Sequence, residues 1–140
     1  MPRKTQISTA SKKAKGRTHQ QYIRDECYRV FGALLEDGDI ESTSMGKSGV
    51  DLQFSPKARK LIPLSIEAKS TKKHPTQKDF KQAQNNVKPN TIPALCWKPH
   101  GALRKDTMIA MNLTEFLELL RSFVYKEEVN GTNKGCSSDQ

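Results

Sequence analysis

Residues 64–69, Leu-Ser-Ile-Glu-Ala-Lys, alternate strictly between apolar and polar side chains, and this period of two is the tightest constraint on what the chain can fold into. It predicts a strand with Leu64, Ile66 and Ala68 on one face and Ser65, Glu67 and Lys69 on the other. Residues 50–54 repeat the pattern, with Val50, Leu52 and Phe54 facing one way and Asp51 and Gln53 the other. The intervening residues 55–60 hold a proline and three basic side chains and read as a turn. Two strands this close in sequence are expected to pair as an antiparallel hairpin.

Helical spacing flanks these strands. Thr18 is placed to cap a helix over residues 18–35, with Ile23, Cys27, Val30, Phe31 and Leu34 as its stripe and the acidic turn around Gly38 as its stop. Pro75 and Thr76 open a second helix, with Asp79 as a capping-box variant and Phe80, Ala83 and Val87 as the apolar face. Pro89 closes it. Residues 91–98 and 108–111 read as strands, and Thr114 as the cap of a last helix with Phe116, Leu117, Leu120, Phe123 and Val124 on its core face. The fold class expected is α/β, a small mixed β-sheet flanked by helices.

At 140 residues the chain has room for one domain. Its charge is unevenly placed: residues 1–17 carry +6, residues 18–54 carry −4, residues 55–105 carry +10 and residues 106–140 carry −3. Residues 1–16 are basic and almost free of apolar side chains, so they are expected to be a disordered tail, acting either as a solubility device or as an arm for nucleic acid. Residues 17–127 should form the single domain and residues 128–140, rich in Gly, Asn and Ser, a disordered end. No apolar run reaches the roughly 18–20 residues of a membrane span, and no apolar stretch follows the basic N-terminus as in a secretory signal. Cys27, Cys96 and Cys136 form no Cys-x-x-Cys pair, which argues against a disulfide framework or a cysteine zinc site and for a reducing compartment, the cytoplasm. The net charge of +9 makes a polyanion the first partner to expect.

The chemistry is concentrated in Asp51 and Glu67-Ala68-Lys69. On paired strands these three charged side chains can meet, since cross-strand neighbours lie about 4.5–5.5 Å apart at Cβ. Two carboxylates and a lysine on an otherwise apolar sheet are costly unless they hold a cation or pair with one another. Two carboxylates, the Ala68 carbonyl and waters suit a hard cation such as Mg²⁺. Such an ion acidifies a water and neutralises a phosphoryl oxygen, while Lys69 positions the water or stabilises the transition state. The bland alternative is an ion pair of Glu67 with Lys69 or Arg59. The triplet is a weak signal by itself: a second acid-x-Lys, Asp79-Phe80-Lys81, lies in the helix just described. Its strand context, the preceding Asp-bearing strand and the surrounding positive charge set Glu67-Ala68-Lys69 apart.

The order helix, Asp, Glu-x-Lys, helix, then strand and helix resembles the PD-(D/E)XK nuclease superfamily, nearest its Holliday-junction-resolvase-like and phage endonuclease branch. The resemblance is carried by Ser48-Gly49-Val50-Asp51-Leu52, Leu64-Ser65-Ile66-Glu67-Ala68-Lys69-Ser70, Lys81-Gln82-Ala83 and the run from Pro93 through Trp97 to the last helix. Val50 stands where the family name has proline. The resemblance implies a restriction-endonuclease-like core, a Mg²⁺ site (Mn²⁺ substituting) held by Asp51, Glu67, the Ala68 carbonyl and a first-helix Glu26, and catalysis by Asp51, Glu67, Lys69, Glu26 and a glutamine on the next helix. Glu26 otherwise reads as a helix-surface partner of Arg29 or Arg24. Gln82 fits the family pattern and ranks ahead of Gln84, which shares the Phe80–Ala83–Val87 stripe. Arg17, Ser44, Lys47, Ser48, Lys72 and Lys73 are the expected DNA contacts, with the loop over residues 42–49 either gripping phosphate or merely linking.

Gly46-Lys47-Ser48 lacks the upstream glycine of a P-loop, which argues against a nucleotide cofactor. His19, His74 and His100 have no ligand spacing and read as surface histidines, and Trp97 as packing. The function expected is a metal-dependent endodeoxyribonuclease for branched DNA such as Holliday junctions, acting in recombination as a homodimer in the cytoplasm, or in the host cytoplasm for a phage-encoded chain. The alternatives are a non-catalytic nucleic-acid-binding protein and a general duplex endonuclease.

Overall fold

The computed structural model describes residues 8–43 and 50–133. The chain divides into two compact units, residues 1–110 and residues 111–140, where one domain over residues 17–127 was expected.

The first unit is α/β. Helix α1, Thr9–Phe31, begins earlier than its apolar stripe suggests. Ser8 caps it, its Oγ accepting the Ser11 N–H at 3.2 Å. Residues 9–16, expected to be disordered, are therefore helical, and Thr18 is not a cap but an interior residue whose Oγ1 donates to the Ala14 carbonyl. The chain leaves α1 at Phe31 through a 3₁₀ turn, Gly32–Leu34. That change of pitch swings Leu34 into solvent and buries Leu35 in its place. Val30 is exposed as well, and the buried side of α1 is His19, Gln20 and Ile23.

Strand β1, Ile40–Ser42, pairs antiparallel with β2, Leu52–Phe54, in register Ile40↔Phe54. This overturns the expected hairpin between residues 50–54 and 64–68. The reason is local: residues 55–60 are not a plain turn. They fall in a short helix α2, Pro56–Leu61, with proline in its first turn and the Ser55 side chain accepting the Ala58 N–H. Ala58 is fully buried, and with Leu35, Ile40 and Ile62 forms one core cluster.

Strand β3, Leu64–Thr71, runs parallel to β4, Ile92–Pro99, and β4 pairs antiparallel with β5, Met108–Ala110. The crossover between the parallel strands carries α3, Gln77–Asn85. Its start is a complete capping box: the Asp79 N–H donates to Thr76 Oγ1 and the Thr76 N–H to Asp79 Oδ2 at 2.8 Å. The register Ala68↔Cys96 and Glu67↔Leu95 sorts the two faces of this sheet. Ile66 and Cys96 pack against Ile23 of α1 in a second cluster with Leu52, while α3 packs on β4 and β3. Trp97 is buried, its ring 4.5 Å from that of His74 and its indole N–H donating to the Thr71 carbonyl, in keeping with a packing role.

The second unit is built on helix α4, Leu113–Asn133. Asn112, rather than Thr114, starts it: Asn112 Oδ1 accepts the Thr114 N–H and the Asn112 carbonyl accepts the Phe116 N–H. Residues 128–133, expected to be frayed, belong to this helix. Its apolar stripe, Leu113, Phe116, Leu117, Leu120, Phe123 and Val124, is exposed, where a core face was expected. Among the described residues no helix is long and apolar enough to cross a membrane.

Candidate active site

Asp51, Glu67 and Lys69 come together although their strands do not form a ladder. The Asp51 N–H donates to the Ile66 carbonyl at 3.3 Å, and Asp51 Oδ2 accepts the Ala68 N–H at 2.6 Å. One main-chain bond and one side-chain bond thus fix the carboxylate on the outer edge of β3. In an extended strand the N–H and C=O of one residue point to the same edge, so the Ala68 carbonyl emerges on the side where Asp51 sits.

Glu67 is buried, 4% exposed, and Lys69 Nζ lies 3.5 Å from its Oε1. Asn86, at the end of α3, hydrogen-bonds the same carboxylate. Glu67 Oε2 nevertheless has no hydrogen-bond partner among the described residues. Burial pushes the Glu67 pKa above its ordinary value, the negative charge of Asp51 adds to this, and Lys69 and Asn86 oppose it. Asp51 is likewise raised, chiefly by burial, against the Ala68 N–H and the positive charge of Lys69. Two acids that both resist ionisation side by side are a place where a divalent cation is welcome.

Glu26 does not join them. It sits on the outer side of α1 in a bidentate pair with Arg29 at 2.9–3.2 Å, because α1 turns His19, Gln20 and Ile23 inward instead. Among the described residues no group of three or more His, Cys, Asp or Glu side chains gathers as a metal cage. The oxygen set is therefore two carboxylates and one carbonyl. This suits Mg²⁺, which keeps several waters and takes few protein ligands. An unsatisfied buried carboxylate oxygen is the observation that fits a cation here.

No known protein family, curated protein or solved structure matches this chain.

Gln82 and Gln84 are both exposed on α3, and the polar residue that reaches Glu67 from that helix is Asn86. The alternation of β3 finds Glu67 but gives no hint of Asn86, which lies beyond the last turn of α3. Arg17, Lys72 and Lys73 are exposed, whereas Ser44, Lys47 and Ser48 lie outside the described residues. His19, expected at the surface, is 2% exposed, and its Nε2 donates to the Cys96 carbonyl at 3.0 Å. The signal for it is the i, i+4 spacing of His19 and Ile23, which puts both on one face of any helix that holds them. Burial raises Cys27 to about 11 and Cys96 to about 12, so both remain thiols at neutral pH and pack as small apolar groups.

Proposed function

We propose that this chain is a Mg²⁺-dependent DNA endonuclease of the PD-(D/E)XK type that cuts branched DNA as a homodimer. The observation that carries the reading is the Asp51 carboxylate held at 2.6 Å on the Ala68 N–H beside a buried Glu67 with an unpartnered oxygen. Asp51, Glu67 and the Ala68 carbonyl would hold the ion. When bound, it supplies Lewis acidity and neutralises charge on a phosphoryl oxygen. Lys69, on the same strand face as Glu67, has an ammonium with three donors. It orients a water for attack on phosphorus and stabilises the negative charge that builds as the bond to the leaving sugar oxygen breaks. The +10 charge of residues 55–105, with Lys72 and Lys73 exposed just past β3, supports a phosphate backbone as the substrate. The exposed stripe of α4 offers a seam for a second copy, and resolving a two-fold symmetric junction takes two opposed cuts.

Incubation of the protein with a cruciform-bearing supercoiled plasmid and with linear duplex, in Mg²⁺ and in chelator, tests this. Linear product from the cruciform in Mg²⁺ alone is expected. Binding without cleavage in Mg²⁺ and Mn²⁺ would make the chain a nucleic-acid-binding protein, and equal rates on linear duplex a general nuclease.

A further inference from the structure

A cavity opens on the face of the β3–β4 sheet opposite Glu67 and Lys69. It has a volume of about 480 Å³ and lies beyond the carboxyl ends of β3 and β4, roofed by the first half of α1. Ligands of open α/β sheets settle at the carboxyl ends of parallel strands, and the size matches that of small-ligand pockets, about 300–1,000 Å³. Its walls include Lys15, His19, Tyr22, Ser70, Lys98 and Arg104, with no carboxylate side chain among the described residues that line it. The register Ser70↔Lys98 places these two beyond Ala68 and Cys96, on the α1 side, whereas Glu67 and Lys69 occupy the α3 side.

Two of the three cationic groups, Lys98 and Arg104, have contacts that position them. Lys98 Nζ donates to the Pro99 and Ala102 carbonyls at 3.3 and 3.2 Å, bracing the turn that Gly101 makes at φ +80°, and an ammonium has a third proton to offer. The Arg104 guanidinium stands 6.0 Å from the centre of the Tyr22 ring. His19 adds a different requirement. A carbonyl only accepts, so His19 Nε2 carries the proton given to Cys96, and Nδ1, buried and without a partner among the described residues, is a bare acceptor in the neutral ring. A ligand that satisfies the whole cavity brings an anion for Lys15, Lys98 and Arg104, a flat ring for Tyr22 and an O–H or N–H donor for His19. A phosphate alone supplies only the first.

We propose that this cavity binds a nucleoside 5′-phosphate unit, with its phosphate against Lys15, Lys98 and Arg104 and its sugar or base donating to His19 Nδ1. The same chemistry comes from a free nucleotide or from the phosphorylated end of a strand. The inference is independent of cleavage, and its test is run in chelator on the full chain carrying Asp51→Asn.

Calorimetric titration with thymidine 5′-monophosphate, thymidine and inorganic phosphate should show the nucleotide binding about tenfold or more tightly than either fragment. Lys15→Gln and Arg104→Gln, both at exposed positions, should each weaken it about tenfold. Lys57→Gln, which removes a surface charge paired with Glu36, should leave it unchanged. The ¹⁵N resonance of His19 Nδ1 should move on nucleotide addition. A 5′-phosphorylated oligonucleotide that outbinds its 5′-hydroxyl twin, and is displaced by the nucleotide, identifies the strand end as the source. Equal binding of the two oligonucleotides identifies the free nucleotide. The proposal is overturned if no saturable nucleotide binding is seen, if Lys15→Gln and Arg104→Gln have no effect, or if Lys57→Gln costs as much as they do.

Discussion

In the unit that ends at Ala110, His19, Gln20, Ser65 and Glu67 are buried, whereas in the unit that follows, Leu117, Leu120 and Phe123 of α4 lie in water. The two depart from the ordinary partition of side chains in opposite senses. Within the first, the buried groups sort further. Ser65 Oγ bonds Thr91 Oγ1 and the Lys88 N–H, and Gln20 accepts from Ser42, so these two are structural. Glu67 Oε2 and His19 Nδ1 are unsatisfied, at a cost of about 1–3 kcal/mol for each such group. On the function proposed above, the buried atom without a partner would take a ligand and the exposed apolar stripe a second copy of the chain.

The largest effect expected from breaking this contrast is on cleavage. Asp51→Asn and Glu67→Gln each remove a charge that, on the proposed function, holds the cation, and should lower the Mg²⁺-dependent rate by on the order of 10³-fold, several kcal/mol of transition-state stabilisation. A quantitative nicking assay reads this, and near wild-type cutting by either variant would move the site elsewhere. Deleting residues 2–16 removes six basic positions less Arg17, including Lys12, Lys13 and Lys15 on α1. The slope of log K against log salt for duplex DNA should become shallower by about 2–4 units, at ~0.9 per phosphate contact; an unchanged slope would show that these bases touch no phosphate.

Leu117→Glu with Leu120→Glu places like charges on the α4 stripe. Light scattering should then report 15.8 kDa in place of twice that mass, and a wild-type monomer would remove the proposed dimer altogether.

The smallest effect is on stability. Because burial raises both acids, the folded chain holds protons on them that the unfolded chain releases, so without cation the contribution of these two groups to stability is greatest below the ordinary carboxylate range. That contribution declines as pH rises from that range through the raised values, and its full penalty stands at neutral pH. Glu67→Gln should relieve about 1 kcal/mol of this at pH 7, raising the melting temperature by about 3–4 °C and flattening its pH dependence. A lower melting temperature for this variant would show that Glu67 stabilises the fold through Lys69.

The alternation of residues 64–69, the Thr76–Asp79 capping box and the apolar run of residues 91–98 made these elements legible, and with them the meeting of Asp51, Glu67 and Lys69. What sequence could not disclose was partner choice. Leu52 pairs with β1 because Ser55 and Pro56 start a helix where basic residues suggested a turn, and three residues of β1 carry too short a pattern to read. Glu26 and His19 exchanged places for a similar reason. The stripe Ile23, Cys27, Val30, Phe31 and Leu34 sets the expected inward face, but Val30 faces water and Leu34 has left the helix, and an N-terminal extension of α1 built from Ser, Ala and Lys has no apolar rhythm that points to His19 and Gln20 instead.

The bond from Ala68 to Asp51 has one more consequence. β3 is an edge strand of its sheet, and an open edge invites another chain to add itself. By taking the Ala68 N–H, the Asp51 carboxylate puts a negative charge where an incoming backbone would have to dock. An alanine or valine at position 51 would hand that free N–H to a neighbouring molecule, and such variants should collect as aggregates during expression while Asp51→Asn, which can still accept the bond, stays in solution.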